Sequence, residues 1–362
     1  MITVSLCLIV KDEEAVLGRC LKSIAHLVDE IIVVDTGSSD QTKSIAANYG
    51  AMIFDFTWID DFSAARNAAF EQATQEYILW LDADDVFSED DQQRFADLKE
   101  SLDPSIDVVT MLYHLAFDEY GNVSFSLRRN RLVKREKSFT WRGMVHEYLE
   151  VYGKVLHSDV AIIHQSEGGF SDRNLKIYQR RLANHDEFSP RDLYYYGNEL
   201  VDHKRYDEAI PVYERFLNEG GGWIEDNIAC CGKLADCYHH LGQHKEEIAS
   251  VLRSLSYGSP RPEYCCRLGF HFLQQKDYLS AIFWYRLATQ IKQKPDYTGF
   301  SATAYSTWLP HLQLCVYYSN IGAHRLAHLH NEVARHFRPT DPIILKNKQY
   351  LETLLESPIE NT

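Results

Sequence analysis

The sequence lacks the long apolar stretches of membrane proteins, since no run approaches the ~18 consecutive apolar residues needed to cross a bilayer. The first ten residues also lack the basic start of a signal peptide. Both absences predict a cytoplasmic protein without an integral membrane segment. The eight cysteines include no Cys-x-x-Cys pair, so we expect buried, reduced thiols in place of disulfides or metal ligands.

Positive charge is scarce as well. Lys and Arg number 37 against 52 Asp and Glu, the formal net charge is -15, and most of the acidic excess lies in residues 1–170. Because nucleic-acid binding depends on cations that neutralise phosphates, this balance argues against a nucleic-acid partner. A Gly-rich phosphate loop is also missing after the first predicted strand, where Val10-Lys11-Asp12 stands. That absence disfavours a nucleotidyltransferase.

The most informative segment is an apolar run that ends in a cluster of acids. Residues 77–81 show no polar alternation, which predicts a strand buried on both faces, and Asp82, Asp84 and Asp85 follow it. Ligands bind at the carboxyl ends of such strands, and clustered carboxylates raise one another's pKa unless a cation neutralises them. A divalent metal with a diphosphate fits this arrangement. The alternative is that these acids only cap a helix that starts near Ser88.

Strand and helix patterns alternate through the first hundred residues. Strands are predicted at 3–10, 31–34, 51–54 and 77–81, and helices at 14–27, 42–49 and 62–73. This alternation predicts parallel strands joined by right-handed crossovers, an α/β fold of the nucleotide-binding type. Asp35 ends the second strand, so we expect its carboxylate at the same sheet edge as Asp82. There the Asp35 carboxylate would accept a hydrogen bond from a nucleobase imide or a ribose hydroxyl. The alternative is that Asp35 only forms a turn with the Gly and Ser that follow.

The N-terminal half resembles family 2 glycosyltransferases with the GT-A fold. The resemblance is carried by four segments in order: 5–14 (SLCLIVKDEE), 32–40 (IVVDTGSSD), 65–67 (ARN) and 81–85 (LDADD). The sequence departs mildly from the family pattern at Asp12, where Asn is usual. That position belongs to a loop that mainly shapes the nucleotide pocket, so the departure leaves the expected fold unchanged.

The resemblance implies roles for the matching residues. Asp35 and Asp82 would hold the base and ribose of a nucleotide, beside the loop that contains Asp12. Arg66 would approach the diphosphate or the base edge with its planar donor fork, instead of being a plain helix-surface arginine. Asp84, the last acid of an Asp-x-Asp motif, would ligate Mn or Mg that bridges the two phosphates.

A β-hairpin is predicted after residue 106, with its turn at Tyr120-Gly121-Asn122. The ten residues 128–137 that follow its return strand contain six cations. We expect them to form a solvated face of the hairpin. The alternative is that they attract a phosphorylated donor or an acidic acceptor.

Two later segments contain the candidate base and a further candidate metal ligand. Glycosyl transfer with inversion requires a base that takes the acceptor proton; Glu147 is the leading candidate and His146 its competitor. In similar members of the superfamily a His-Glu pair precedes a strand that ends in His, so the resemblance implies His164 as a third metal ligand. The alternative for each histidine is an ordinary hydrogen-bonded side chain.

The C-terminal half resembles tetratricopeptide repeats. Gly197 precedes Ala209 by the same interval that separates Gly269 from Ala281, and small residues at these places let paired helices approach closely. Helical hairpins are predicted at 193–219, 228–257, 263–292 and 311–337. The expected domain limits are 1–170 for the GT-A domain, 171–190 for a connecting helix and 191–350 for an all-α tetratricopeptide-like repeat domain.

Together these features predict a metal-dependent, inverting glycosyltransferase of the hexosyltransferase type, similar in plan to bacterial peptide and protein glycosyltransferases. The donor would be a nucleotide sugar, with a UDP-sugar favoured, and the acceptor a peptide, a protein or a cell-surface glycan. The repeats would present the acceptor on a concave surface, or they would form a homodimer contact. Alternatives from other classes are a non-catalytic repeat scaffold and a sugar-phosphate nucleotidyltransferase.

Overall fold

The computed structural model describes residues 1–167, 171–292 and 297–356 of the chain, which form two compact units. The first is built mainly from Met1–Ala116 and Ser126–Phe188, and the second from Phe117–Phe125 and the helices after Ser189. The predicted order of an α/β domain and an all-α domain is confirmed. The domain limits given above stay a prediction.

The first unit is a sheet with helices packed on its faces. Its strands are β1 (Val4–Val10), β2 (Glu30–Asp35), β3 (Met52–Asp55), β4 (Tyr77–Trp80), β5 (Asp85–Val86), β6 (Val108–Phe117), β7 (Val123–Lys134), β8 (Thr140–Arg142), β9 (Tyr148–Glu150) and β10 (Val155–His164). Its helices are α1 (Leu17–Ile24), α2 (Thr42–Asn48), α3 (Phe62–Gln72), α4 (Glu89–Ser101) and α5 (Arg173–Ala183). The strand order of the main sheet is β3-β2-β1-β4-β7-β6-β10-β5, whereas β8 and β9 pair with each other in a separate two-stranded sheet.

The strand pairing is parallel at the N-terminal side of the sheet and mixed beyond β4. β1 pairs in parallel with β2 and with β4, and β2 pairs in parallel with β3, as the alternation of strands and helices predicts. β7 joins β4 in antiparallel orientation, and β5 joins β10 in the same way. The sheet therefore places residues from both halves of the first unit side by side.

β1 is buried on both faces because apolar side chains leave it in both directions. Leu6 and Leu8 pack into one core cluster with Leu21 of α1, whereas Cys7 packs into a second cluster with Ala69 of α3. Complete burial of each leucine side chain contributes ~1.5–3 kcal/mol. This packing explains why the strand sequence has no polar alternation.

The helix predicted from residue 14 begins only at Leu17. The backbone N–H of Glu14 donates to Asp40 Oδ2 at 3.0 Å, and the Glu14 carboxylate accepts from the Gln41 N–H at 2.9 Å. These bonds fasten the loop after β1 to the loop after β2. The turn that they stabilise delays the start of the helix.

The strand register brings the ends of neighbouring strands to one edge. Val10 of β1 lies opposite Asp35 of β2, and the Leu81 N–H, just beyond β4, donates to the Cys7 carbonyl at 3.2 Å. Asp82 therefore follows at the same edge as Asp35, as predicted from the sequence.

The second unit is an array of helical hairpins. Its helices are α6 (Pro190–Asp202), α7 (Tyr206–Glu219), α8 (Ile224–His240), α9 (His244–Arg253), α10 (Pro262–Gln274), α11 (Tyr278–Gln290), α12 (Trp308–Asn320), α13 (His324–Phe337) and α14 (Pro342–Glu356). A Cβ added at Gly197 would lie 2.4 Å from the Tyr213 ring, and one at Gly269 would lie 2.5 Å from the Tyr285 ring. The close approach expected from small residues is thus a contact with a tyrosine of the paired helix.

Two features of the second unit were not predicted. Helix α14 packs on α13, where Asn331 donates to the Ile344 carbonyl at 3.0 Å. The hairpin tip 117–125 also belongs to this unit: Asn122 donates to the Phe337 carbonyl at 3.0 Å, and the Thr303 hydroxyl donates to the Val123 carbonyl at 2.7 Å.

None of the helices in the described ranges combines the length and the apolarity that a bilayer-crossing segment needs.

Candidate nucleotide and metal site

Asp35 is a buried carboxylate at the end of β2. Its Oδ2 accepts the N–H groups of Gly37 and Ser38, each at 3.0 Å, and lies 3.5 Å from the Lys43 ammonium. Burial opposes ionisation, but the hydrogen bonds from Ser38 and Gly37 and the charge of Lys43 bring the pKa of Asp35 below its usual value. Its Oδ1 is buried and has no hydrogen-bond partner among the described residues. An ionised oxygen of this kind suits an N–H or hydroxyl donor of a ligand.

Asp12 organises the loop that follows β2. Its Oδ1 accepts the Ser39 N–H at 2.7 Å, and its own N–H donates to the Ser38 hydroxyl at 2.9 Å. Asp12 has a positive φ of 54°, which an aspartate tolerates better than most residues. The structure thus places Asp12 beside the Asp35 loop, where its carboxylate is engaged by backbone.

Arg66, Asp82 and Glu147 form one ion-pair chain. Arg66 of α3 is 7% exposed, its Nη2 lies 2.5 Å from Asp82 Oδ1, and its Nε donates to Glu147 Oε1. The guanidinium carbon lies 4.8 Å from the ring centroid of Trp80 and 4.8 Å from that of Trp141, and the planes of the two rings are nearly perpendicular. Two aromatic rings beside the guanidinium stabilise its positive charge. The structure therefore brings together three of the residues singled out in the sequence.

The pKa of Asp82 does not follow the expectation from clustered acids. Burial opposes its ionisation, yet the guanidinium groups of Arg66, Arg131 and Arg129 hold the pKa of this carboxyl well below its usual range. The cations that neutralise Asp82 are therefore arginines from α3 and β7, and its neighbouring carboxylates do not raise its pKa.

The loop that contains the candidate bases is fastened to the start of α3. The Phe62 N–H donates to the Met144 carbonyl at 2.9 Å, and the Glu147 side chain is 12% exposed in its pair with Arg66. His146 has a positive φ of 51°. Glu147 and Asp82 thus form ion pairs with the same arginine, Arg66. The assignment of the base to Glu147 or to His146 stays a prediction.

Asp84, Asp85 and His164 offer three ligand atoms within 4.8 Å of one another. The short strand β5 pairs with the end of β10 and puts Asp85 opposite His164. His164 Nδ1 lies 3.3 Å from Asp84 Oδ1, 3.8 Å from Asp85 Oδ1 and 3.0 Å from the Tyr113 hydroxyl. The hydrogen bonds to Asp84 and Asp85 raise the pKa of His164 to about 10, although burial opposes this.

The side chains of this cluster fit a divalent cation. Two carboxylates and one imidazole suit manganese, and oxygen ligands suit magnesium. Asp85 Oδ1 is buried without a hydrogen-bond partner in the described part of the chain, so the cluster has an acceptor that a cation would satisfy. Of the predicted metal ligands, Asp84 and His164 are brought together; Asp85 is an additional one that the sequence analysis left in the acid cluster without a role.

Arg131 corrects the interpretation of the cation run. Arg131 and Asp85 are both fully buried and 2.9 Å apart, and the Arg131 guanidinium lies 3.9 Å from the Trp80 ring centroid and 4.4 Å from that of Tyr113. The expected solvated hairpin face is wrong here, because β7 is long and pairs Leu132 with the buried strand β4. The apolar residues that follow Arg131 in the sequence are the signal for this burial.

Glu13 is a further residue that the sequence analysis did not assign. Burial and the charges of Asp84 and Asp82 raise its pKa to about 7, while Arg173 lowers it. Its backbone N–H donates to the Thr42 hydroxyl at 2.7 Å. The acid pair that directly follows Asp12 in the sequence was the available signal for a carboxylate facing the acid cluster.

Sequence comparisons relate the first half of the chain to glycosyltransferases. Residues 5–153 match the model of glycosyl transferase family 2. A TPR repeat-containing protein of Synechococcus elongatus is 30% identical over 80% of this chain and 66% of its own length. The glycosyltransferase SunS of Bacillus subtilis, of prophage origin, is 29% identical over 60% of this chain and 53% of its own length. The chain thus spans between half and two thirds of these relatives.

Solved structures are only weakly similar. Glucosyl-3-phosphoglycerate synthase of Mycobacterium tuberculosis, in complex with Mn2+, UDP and phosphoglyceric acid, has a TM-score of 0.27 and 22% identity over 31% of this chain and 43% of that chain. MamA has a TM-score of 0.35 and 18% identity over 44% of this chain and 84% of that chain.

The family match covers the segments that contain Asp35, Arg66, Asp82 and Glu147. The sheet and its helices occupy the same part of the chain. Residues 5–153 of this chain therefore match glycosyl transferase family 2 and coincide with the sheet and its helices, and they are followed by an all-helical region of hairpins.

Proposed function

We propose that the protein is a metal-dependent, inverting glycosyltransferase that moves a sugar from a nucleotide donor, a UDP-sugar in the first place, to a peptide, protein or glycan acceptor. The observation that supports it best is the single sheet edge where Asp35, Asp82 and Asp84 follow parallel strands beside a buried arginine. Such an edge is where α/β folds bind nucleotides.

The donor nucleotide is held by the loops after β1, β2 and β4. The unpartnered Oδ1 of Asp35 accepts the imide N–H of a uracil, and Asp82 accepts ribose hydroxyls. Asp12 keeps the Asp35 loop in position through Ser39. Both carboxylates accept hydrogen bonds from donor groups of the nucleotide. Because uracil offers an imide N–H to Asp35, a uridine nucleotide is favoured.

Asp84, Asp85 and His164 would hold Mn or Mg beside the diphosphate of the donor. When bound, the ion offsets the negative charge that develops on the departing nucleoside diphosphate. The protein's own contribution is the placement of two carboxylates and one imidazole within reach of one position. The Tyr113 hydroxyl contacts the same imidazole nitrogen, Nδ1, that faces Asp84 and Asp85.

Arg66 links donor binding to the base. In the structure its guanidinium is shared between Asp82 and Glu147. A diphosphate or ribose that competes for this fork weakens the pair with Glu147, and the released carboxylate then takes the proton of the attacking acceptor. His146, the residue before Glu147, is the alternative base.

The acceptor is proposed to dock on the helical hairpins. The relative from Synechococcus elongatus is a TPR repeat-containing protein, and repeat arrays offer extended surfaces for peptides. Dimerisation through the same helices is the competing purpose, and it predicts a concentration-dependent mass.

The direct test is incubation with a panel of nucleotide sugars and Mn2+, followed by detection of free nucleoside diphosphate. Release of a diphosphate from one donor supports the proposal, whereas release of pyrophosphate from a sugar phosphate and a nucleoside triphosphate supports a nucleotidyltransferase. Asp84→Ala is the matched control. Absence of any turnover or nucleotide binding would favour the scaffold.

A further inference from the structure

A second cluster of metal-ligand side chains lies in the helical unit, at the turn between α8 and α9. His239 is in the last turn of α8, His244 opens α9, and Glu247 lies one turn further along α9. Gly242 has a φ of 72°, and the Gln243 N–H donates to the Tyr238 carbonyl at 2.8 Å, so the turn is tight. The fold therefore holds the three side chains together without help from the sheet unit.

The distances within the cluster match those of a tetrahedral metal site. Nδ1 of His239 lies 3.0 Å and Nδ1 of His244 lies 3.2 Å from Glu247 Oε2, and the three ligand atoms are all within 4.8 Å of one another. With metal–ligand bonds of ~2.0–2.1 Å, neighbouring ligand atoms of a zinc tetrahedron are ~3.3–3.4 Å apart. Shifts of a few tenths of an ångström bring the two contacts with Glu247 Oε2 to this separation, and the two imidazole nitrogens lie within 4.8 Å of each other.

The carboxylate of the cluster is already oriented by its neighbours. Glu247 is 8% exposed, and its Oε1 accepts from Arg267 Nε at 2.9 Å, which leaves Oε2 for the imidazoles. Arg267 also pairs with Asp236 and donates to the Ala235 carbonyl at 3.0 Å. One arginine between two carboxylates leaves the group with a net negative charge. Fixed partners of this kind raise the affinity of a metal ligand.

We propose that His239, His244 and Glu247 form a binding site for Zn2+ that ties α8 to α9. The side chains of His239 and His244 are 53% and 71% exposed, so a water molecule has room to complete the coordination. Two imidazoles favour zinc over magnesium or calcium, which require oxygen ligands. This donor set therefore differs from the carboxylate-rich cluster at Asp84, and the inference stands apart from the proposed transfer reaction.

The test is a titration of the full metal-free chain with Co2+, whose visible absorption reports tetrahedral nitrogen and oxygen ligands, and with Zn2+ by calorimetry. The variants are His239→Ala and His244→Ala, each combined with Asp84→Ala, and His271→Ala on α10 in the same Asp84→Ala background is the matched control. Asp84→Ala separates this site from the one in the sheet unit. We expect the Co2+ signal and zinc binding to persist in Asp84→Ala and in the control.

Both cluster variants should lose the tetrahedral Co2+ spectrum and bind zinc at least ~10-fold more weakly, because even the loss of an outer partner costs ~10–100-fold in affinity. Zinc should also raise the melting temperature of the wild type and of Asp84→Ala, and not that of the cluster variants. Melting of the metal-free variants checks that they fold. Unchanged zinc affinity in both cluster variants, or no zinc binding by Asp84→Ala, would overturn the proposal.

Discussion

The buried pair of Arg131 and Asp85 is expected to be one of the most sensitive points of the sheet. Neither side chain is exposed, and Arg131 also donates to the Trp80 carbonyl at 3.2 Å. Arg131→Met fills a similar volume but removes the buried cation that pairs with Asp85, which leaves only the more distant His164, at 3.8 Å, beside this carboxylate. Removal of one partner of a buried ion pair costs ~3–5 kcal/mol, a large part of the ~5–15 kcal/mol by which proteins are stable. Hydrogen exchange of β4 and β7, measured with chelator present, reads out this local loss.

The double variant Asp85→Asn/Arg131→Met also removes the negative charge at position 85. We expect it to recover much of the protection against hydrogen exchange that Arg131→Met loses. Arg128→Met is the matched control on the same strand. Arg128 is half-buried and donates to the Ser158 carbonyl at 2.6 Å, so its loss should cost only ~0.5–1.5 kcal/mol. If Arg131→Met exchanges no faster than Arg128→Met, the pair is not a stabilising element and the reasoning fails.

Three further outcomes are expected. Asp84→Ala should abolish the metal dependence of UDP binding while the fold persists, and undiminished Mn2+-dependent affinity in calorimetry would remove Asp84 from the metal site. Glu147→Gln should keep nucleotide affinity but lower turnover by ~100- to 10,000-fold, since an amide cannot accept the proton; unchanged transfer kinetics would assign the base elsewhere. Burial, with the charges of His311 and Arg286, lowers the pKa of His330 to about 4, so folding favours its neutral form. Its contribution to stability is present above about pH 6.5 and is lost as the pH falls toward 4, so the melting temperature of His330→Gln should depend less on pH than that of the wild type; equal slopes between pH 7.5 and 5 would contradict this.

The sheet edge could be predicted because its signals are local. Apolar runs that end in Asp35 or in Asp82 are visible in the sequence, and parallel pairing then brings the two ends together. The same holds for Asp84, which follows directly from the strand end. Where an element and its acid are neighbours in the chain, periodicity is enough to place both.

The pairing within the site could not be predicted because it depends on distant contacts. Arg66 is 16 residues from Asp82 and 81 residues from Glu147, and no spacing rule connects them. Arg131 stands in a run of cations that is typical of a surface. The apolar residues after Arg131 indicate a buried strand, but no sequence pattern specifies that β4 is the partner of β7.

The hairpin tip 117–125 has a consequence for dissecting the molecule. It is encoded between two strands of the glycosyltransferase domain, yet its partners are Thr303 and Phe337, far along the chain. A cut near residue 188 would therefore not yield two self-sufficient halves, since the first fragment would retain a loop deprived of its partners. Exchange of repeat regions between related proteins should succeed only when residues 117–125 are exchanged together with the helices that they contact.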